Sequence, residues 1–319
     1  MHRASKRALV AFALAALALA AIAGCGIGGK DGSGAASLTV TREFGARELL
    51  RATEDAIPAG ETVMRLLQRR ASTRTRYGGR FVNAVNGVGS RSGGGHRQDW
   101  FYYVNGIESP VGAAERKVRG GDHVWWDYRD WGAAMRVPAV VGSYPEPFRH
   151  GSDGKRYPLR VDCDQETSGA CEEVMRRLNR AGLSPSTAAL GTLAGKDVLR
   201  VLVGRWAEVR RDAAARQLES GPKASGVFAA IVPRSGSYEV HLLDALGRIR
   251  SRAGTSLGLV AATRFEEQQP TWVVTGVDGA GVTLAAGLLD APLLRNRYAV
   301  ARVKTKVVPL PVPETVNGR

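Results

Sequence analysis

D-W-F-Y-Y-V-N-G-I-E-S-P, from Asp99 to Pro110, and G-G-D-H-V-W-W-D-Y-R-D-W, from Gly120 to Trp131, decide the fold of the first third of this chain. Each stretch carries an aromatic run, Trp100 to Tyr103 and Trp125 to Tyr128, next to turn residues, Asn105–Gly106 and Gly120–Asp122. Aromatic residues favour a pleated, half-buried surface, and Asn-Gly between two such runs is a hairpin signal. Neighbouring side chains of a strand point to opposite faces, so each run puts aromatics on both faces of a sheet. One face then fills a core, and the other offers a flat surface to a planar ligand. Only 7% of the residues are aromatic, yet eight Trp, Tyr and Phe side chains gather here. The clustering predicts a ligand-contacting face drawn from Trp100, Tyr102, Trp125, Trp126 and Tyr128, with Asn105 and His123 at the strand ends.

Outward from this core, Leu38 to Phe44 and Ala46 to Ala52 alternate like a strand pair. Glu61 to Arg70 places Val63, Leu66 and Leu67 at helical spacing. Strands follow at Arg80–Val85, Trp100–Val104 and His123–Tyr128. Four blocks in this order carry a resemblance: T-V-M-R-L-L (Thr62 to Leu67), F-V-N-A-V-N-G (Phe81 to Gly87), D-W-F-Y-Y-V-N-G (Asp99 to Gly106) and G-D-H-V-W-W-D-Y (Gly121 to Tyr128). Together they resemble a bacterial domain family of unknown function related to the carboxy-terminal β-domain of transcobalamin and intrinsic factor. The resemblance spans residues 38–137. It implies a ubiquitin-like β-grasp fold and a corrinoid, or cobalamin, as the planar ligand. Fold does not settle function, so the ligand stays an expectation.

The amino terminus predicts the compartment. Arg3, Lys6 and Arg7 precede an apolar run from Ala8 to Ala21 that ends in Ile22-Ala23-Gly24-Cys25. The run is too short to span a bilayer, and small residues before a Cys look like a lipoprotein signal peptide, residues 1–24, with Cys25 lipidated. Residues 25–37, rich in Gly and Ser, read as a flexible tether. The expected location is the extracytoplasmic face of the cell membrane, held by the lipid anchor. The formal charge is +15, carried by 37 arginines and only eight lysines, a bias of GC-rich coding. An exported chain does not meet nucleic acid, so the expected neighbours are anionic envelope polymer and lipid head groups, with a membrane transporter or small-molecule ligand as further partners.

Residues 138–158 contain Pro138, Pro145, Pro147 and Pro158 and read as a connector. From 159 to 308 strands and helices alternate. The predicted strands are 159–161, 197–203, 226–232, 238–243, 271–275 and 298–303; the predicted helices are 171–183, 207–218 and 280–289. This pattern argues an α/β unit with a mixed sheet, and α+β for the whole chain. Residues 309–319, with three prolines, read as an extended tail. Cys163 and Cys171, eight apart in an oxidising compartment, are expected to form a disulfide.

Three motifs bear on chemistry. Gly254-Thr255-Ser256-Leu257-Gly258 matches G-x-S-x-G, but all five histidines precede Ser256, against the chain order of that hydrolase triad. Gly276-Val277-Asp278-Gly279-Ala280-Gly281 opens a helix and reads as a structural turn with Asp278 as the cap; an anion at the helix start is the alternative, the place to look if the second half has a ligand. Asp162, Asp164 and Glu166 lack the spacing of a calcium loop. No catalytic residue and no metal site are assigned. The reading is a ligand-binding surface lipoprotein serving uptake in concert with a transporter; the alternative is a non-catalytic envelope scaffold contacting protein or anionic polymer.

Overall fold

The structure, a computed structural model, describes residues 34–89, 92–93 and 96–314. Cys25, the signal peptide and most of the tether lie outside the described residues. The chain is α+β. Its first part runs β1 (Ala36–Arg42), β2 (Arg47–Glu54), α1 (Val63–Arg70), β3 (Thr73–Arg76), β4 (Phe81–Val85), β5 (Val88–Gly89), β6 (Ser92–Gly93), β7 (His96–Val104), β8 (Ile107–Glu108) and β9 (His123–Asp130). The main sheet has the order β2-β1-β9-β7-β6, with β8 on β7. Its central pair, β1 and β9, is parallel, while β2 and β7 flank it antiparallel. Strands β3 to β5 form a separate small sheet. Thr62 caps α1 by accepting the Arg65 N–H, and Val63, Leu66 and Leu67 are fully buried on the sheet.

The second part runs β10 (Leu159–Cys163), α2 (Ser168–Arg180), β11 (Ser186–Ala189), β12 (Leu199–Arg205), β13 (Ala229–Arg234), β14 (Ser237–Leu243), β15 (Ile249–Ala253), β16 (Leu257–Thr263), β17 (Thr271–Gly276), α3 (Gly279–Ala286), β18 (Ala299–Val303) and β19 (Lys306–Leu310). A seven-stranded mixed sheet has the order β11-β10-β12-β17-β16-β18-β19. Strands β11, β10, β12 and β17 are parallel, and β16, β18 and β19 join antiparallel. Alternation divides its side chains between two cores. Val201, Val203, Val260, Trp272 and Val274 pack under α2 and α3. Leu202, Leu259, Ala261, Val273 and Ala299 face the small sheet β13-β14-β15 and the first part of the chain.

The structure departs from the predicted elements at several places, and its strands β3, β11 and β15 match none of the predicted strands. The helix expected over 207–218 is broken into turns at Trp206–Val209 and Ala213–Arg216, because Asp212 caps the N–H groups of Ala214 and Ala215 and restarts the chain. Strand β16, L-G-L-V-A-A-T, is buried throughout; with both faces covered it shows no alternation, and so it was not predicted. The tail begins later than 309, since Lys306–Leu310 is the edge strand β19 and Val312 bridges to Asp244. The connector is also less of a linker than expected, because Ala139, Val140 and Val141 are core residues.

Candidate functional site

The aromatic sheet keeps the expected alternation and loses the expected exposure. Trp100, Trp126 and Tyr128 point to the α1 side with Leu38, Val40 and Leu66, and half-buried Tyr102 packs beside them. Tyr103 and Trp125 point to the other side, into the core shared with the second part. There Tyr103 and Trp125 meet Tyr298 edge-on, at centroid distances of 5.8 and 5.4 Å, and Phe44 meets Phe228 at 4.9 Å. Trp100, Trp125, Trp126 and Tyr128 are at most 7% exposed. The open platform for a planar ligand is therefore corrected. Both faces are covered, because the second part supplies a cover that strand periodicity cannot reveal. The predicted set also divides between the faces, with Trp125 opposite Trp100, Tyr102, Trp126 and Tyr128.

The polar residues of this sheet hold the two parts together. Asp127 is fully buried and accepts hydrogen bonds from Thr41 Oγ1 (2.5 Å), the Gly45 N–H (3.1 Å) and the Tyr298 hydroxyl (2.9 Å). Trp125 Nε1 donates to Thr41 Oγ1 at 2.8 Å. Burial pushes the Asp127 carboxyl up to about 6. Arg129 is also buried; it lies 3.7 Å over the Phe101 ring and donates to the carbonyls of Ala134 and Met135 at 2.7 and 3.0 Å. Asn105 has φ 54° and no exposure. Its Nδ2 donates to Asp122 Oδ1 and the Gly151 carbonyl, both at 2.9 Å, so it locks its turn onto the connector. His123 places Nδ1 2.9 Å from Ser143 Oγ and Nε2 3.1 Å from Thr39 Oγ1. Burial, with Arg51 nearby, pushes His123 down to about 4, so it is neutral at pH 7. Both ring nitrogens are engaged by hydroxyls, which leaves neither free for a metal. Among the described residues no group of three or more His, Cys, Asp or Glu side chains converges to hold a metal ion.

The second-half motifs are structural. Gly258, Gly276 and Gly281 let α3 lie directly on β16 and β17: a Cβ on Gly258 would stand 2.3 Å from the Ala285 nitrogen, and one on Gly276 2.5 Å from the Gly281 carbonyl carbon. Asp278 occupies the helix start itself, accepting from Gly281 N at 2.7 Å and from Ser256 N at 3.2 Å. Asp278 is thus the cap of α3, and the motif is a structural turn. Cys163 and Cys171 form the expected disulfide, with Cα atoms 5.9 Å apart. Asp164 pairs with Arg205 at 2.9 Å.

A groove of about 1010 Å³ lies between α2 and the edge strand β11. Met175, Ala188 and the disulfide contribute apolar lining; Glu172 stands toward the amino end of α2 and Arg176 and Arg180 toward its carboxyl end. The sequence concealed it, since neither the neighbour of α2 nor the edge position of β11 can be read from a helical stripe and four small residues.

Residues 60–130 match the model of a family described as a domain of unknown function, DUF4430. The match runs from the start of α1 to the end of β9 and so contains the whole aromatic cluster. No curated protein shows a match to the chain. A crystal structure of a Ruminococcus gnavus protein, described as a candidate metal-binding protein, aligns at 14% identity over 31% of this chain and 98% of its own, with a TM-score of 0.24. At that score the likeness carries no argument. No helix among the described residues is long and apolar enough to cross a membrane.

Proposed function

We propose that this protein is a lipid-anchored envelope protein that acts by binding a polypeptide partner and performs no catalysis. Its first part, residues 38–137, reads as a β-grasp module, supported by the β2-β1-β9-β7 order with a parallel central pair. Its second part, residues 159–308, reads as the partner-binding module. The observation that carries this choice over corrinoid capture is the contact of Tyr103 and Trp125 with Tyr298, which seals the aromatic face.

The groove is the remaining candidate surface. Strand β11 pairs on one side only, so half of its backbone groups point outward, and its S-T-A-A sequence carries no charge or proline to discourage pairing. An extended peptide added antiparallel to β11 would set its carboxyl end beside Arg180 and its amino end toward Glu172, matching charge at both ends. The test is a photo-reactive side chain at Thr187 in the intact cell, compared with one at exposed Leu246. A discrete crosslinked polypeptide from Thr187 and none from Leu246 is expected. Equal background from both positions would reject the groove as the binding surface.

A further inference from the structure

We infer that the β3–β4 hairpin is a second contact surface, one that rests on an anionic lipid bilayer. Its tip is R-T-R-Y-G-G-R-F, Arg74 to Phe81. Tyr77 is 80% exposed and sits at φ 52°, in the left-handed region that a bulky residue rarely adopts. Its ring touches half-buried Phe81 edge-on at 6.3 Å. A large aromatic held exposed in a left-handed turn adds nothing to a core, and backbone strain of this kind clusters at ligand and contact sites.

Two of the three charges around it are unneutralised among the described residues. Arg74 and Arg76 are exposed and have no acidic partner among the described residues, and Arg80 meets only Glu115, at 3.7 Å. The arginines just before the hairpin differ: Arg70 is tied to Glu54, and Arg69 lies within 4 Å of both Glu54 and Glu61. A tyrosine at a bilayer surface places its ring at the head-group boundary, while neighbouring guanidinium groups bind lipid phosphates. A soluble polyanion would engage the arginines and ignore the ring. A folded protein partner would need a broader apolar patch than one ring followed by two glycines.

The tether enters at the right place. Ala36, at the start of β1, pairs with Glu54, and Glu54 is bonded to Arg70, three residues before β3. The root of the hairpin therefore lies close to the start of β1. Eight residues separate Cys25 from Gly34, a span of up to ~28 Å when extended. An acyl chain on Cys25 can thus hold the hairpin within reach of the lipid head groups.

This inference rests on the envelope location proposed above, but its test does not require the anchor. The chain from residue 26 onward, without an acyl group, keeps every described residue and can be floated with vesicles. It should bind phosphatidylglycerol–phosphatidylcholine vesicles, leave pure phosphatidylcholine unbound, and weaken as salt rises. Arg74→Glu with Arg76→Glu should weaken binding on the order of 30-fold, at roughly fivefold per basic residue near the surface. Tyr77→Ser should weaken it several-fold at unchanged salt dependence. Arg250→Glu with Arg252→Glu, the same charge change on exposed residues of β15, should leave it within about twofold. The inference is overturned if the β15 pair costs as much as the hairpin pair, if no hairpin change matters, or if soluble polyglutamate binds as well as vesicles and Tyr77→Ser is silent. The location itself is judged separately, by cell fractionation of Cys25→Ser.

Discussion

Two buried titratable residues sit on the same face of the aromatic sheet with opposite pH signatures. Asp127 is raised to about 6 in the folded chain, above the ordinary carboxylate value, so its contribution to stability falls as pH rises from about 4 to about 6. His123 is lowered to about 4, below the ordinary imidazole value, so its contribution is lost as pH falls from about 6.5 to about 4. Each shift corresponds to about 3 kcal/mol at 1.36 kcal/mol per pH unit, and in the native chain the two slopes nearly cancel. Asp127→Asn should therefore make stability rise with pH across 4–6, and His123→Gln should make it fall. Urea unfolding at stepped pH measures both, and parallel curves for the two variants would reject the assignment. These values depend on burial, and burial here comes from Tyr298 and Ser143, far along the chain.

The aromatic strands and α3 are the elements whose packing is most exacting. Because both faces of the β7–β9 pair are covered, no set of its aromatics can be removed cheaply. Tyr103→Ala and Trp126→Ala, from opposite faces, should each cost about 3–5 kcal/mol by chemical denaturation. A face whose alanine variants unfold like the native chain would restore the free aromatic platform. Where α3 meets β16 the glycines separate cleanly. Gly258→Ala drives a Cβ to 2.3 Å from the Ala285 nitrogen, and Gly279→Ala meets nothing within 4 Å. The first should cost about 3 kcal/mol or more, and the second should be neutral or stabilising by less than about 1 kcal/mol. Equal effects would mean that helix propensity, and not close approach to β16, selects the glycines.

As a whole molecule, the two parts share one core in which Phe44, Tyr103 and Trp125 pack with Phe228 and Tyr298. Calorimetry should accordingly show a single unfolding transition, and two resolved transitions would show that the modules are independent. Sealing that face also bears on ligand choice. Hydroxocobalamin added to the chain from residue 26 onward should shift neither its own visible bands nor the melting temperature, whereas a saturable shift in both would return the corrinoid reading to first place. At the level of the cell, Cys25→Ser should release the protein from the membrane fraction or stall its processing; full retention with normal processing would rule out the anchor.

Local physics made part of this legible in the sequence. Alternation in W-F-Y-Y and V-W-W-D-Y fixed which aromatics share a face, because the period of a strand is set by the backbone alone. Helical spacing located α1 and α2, and two cysteines eight apart pointed to their disulfide. The short apolar run ending at Cys25 supplied the expectation of an anchor. What covers each face was decided only by the tertiary structure, since Tyr298 lies 171 residues from Asp127 and no local pattern reports that contact. The same holds for β16, whose seven buried residues show no period, for the glycines that admit α3 rather than an anion, and for the groove beside β11, which exists because sheet order leaves that strand at an edge. Periodicity says which side a residue takes; only long-range packing says whether that side meets water.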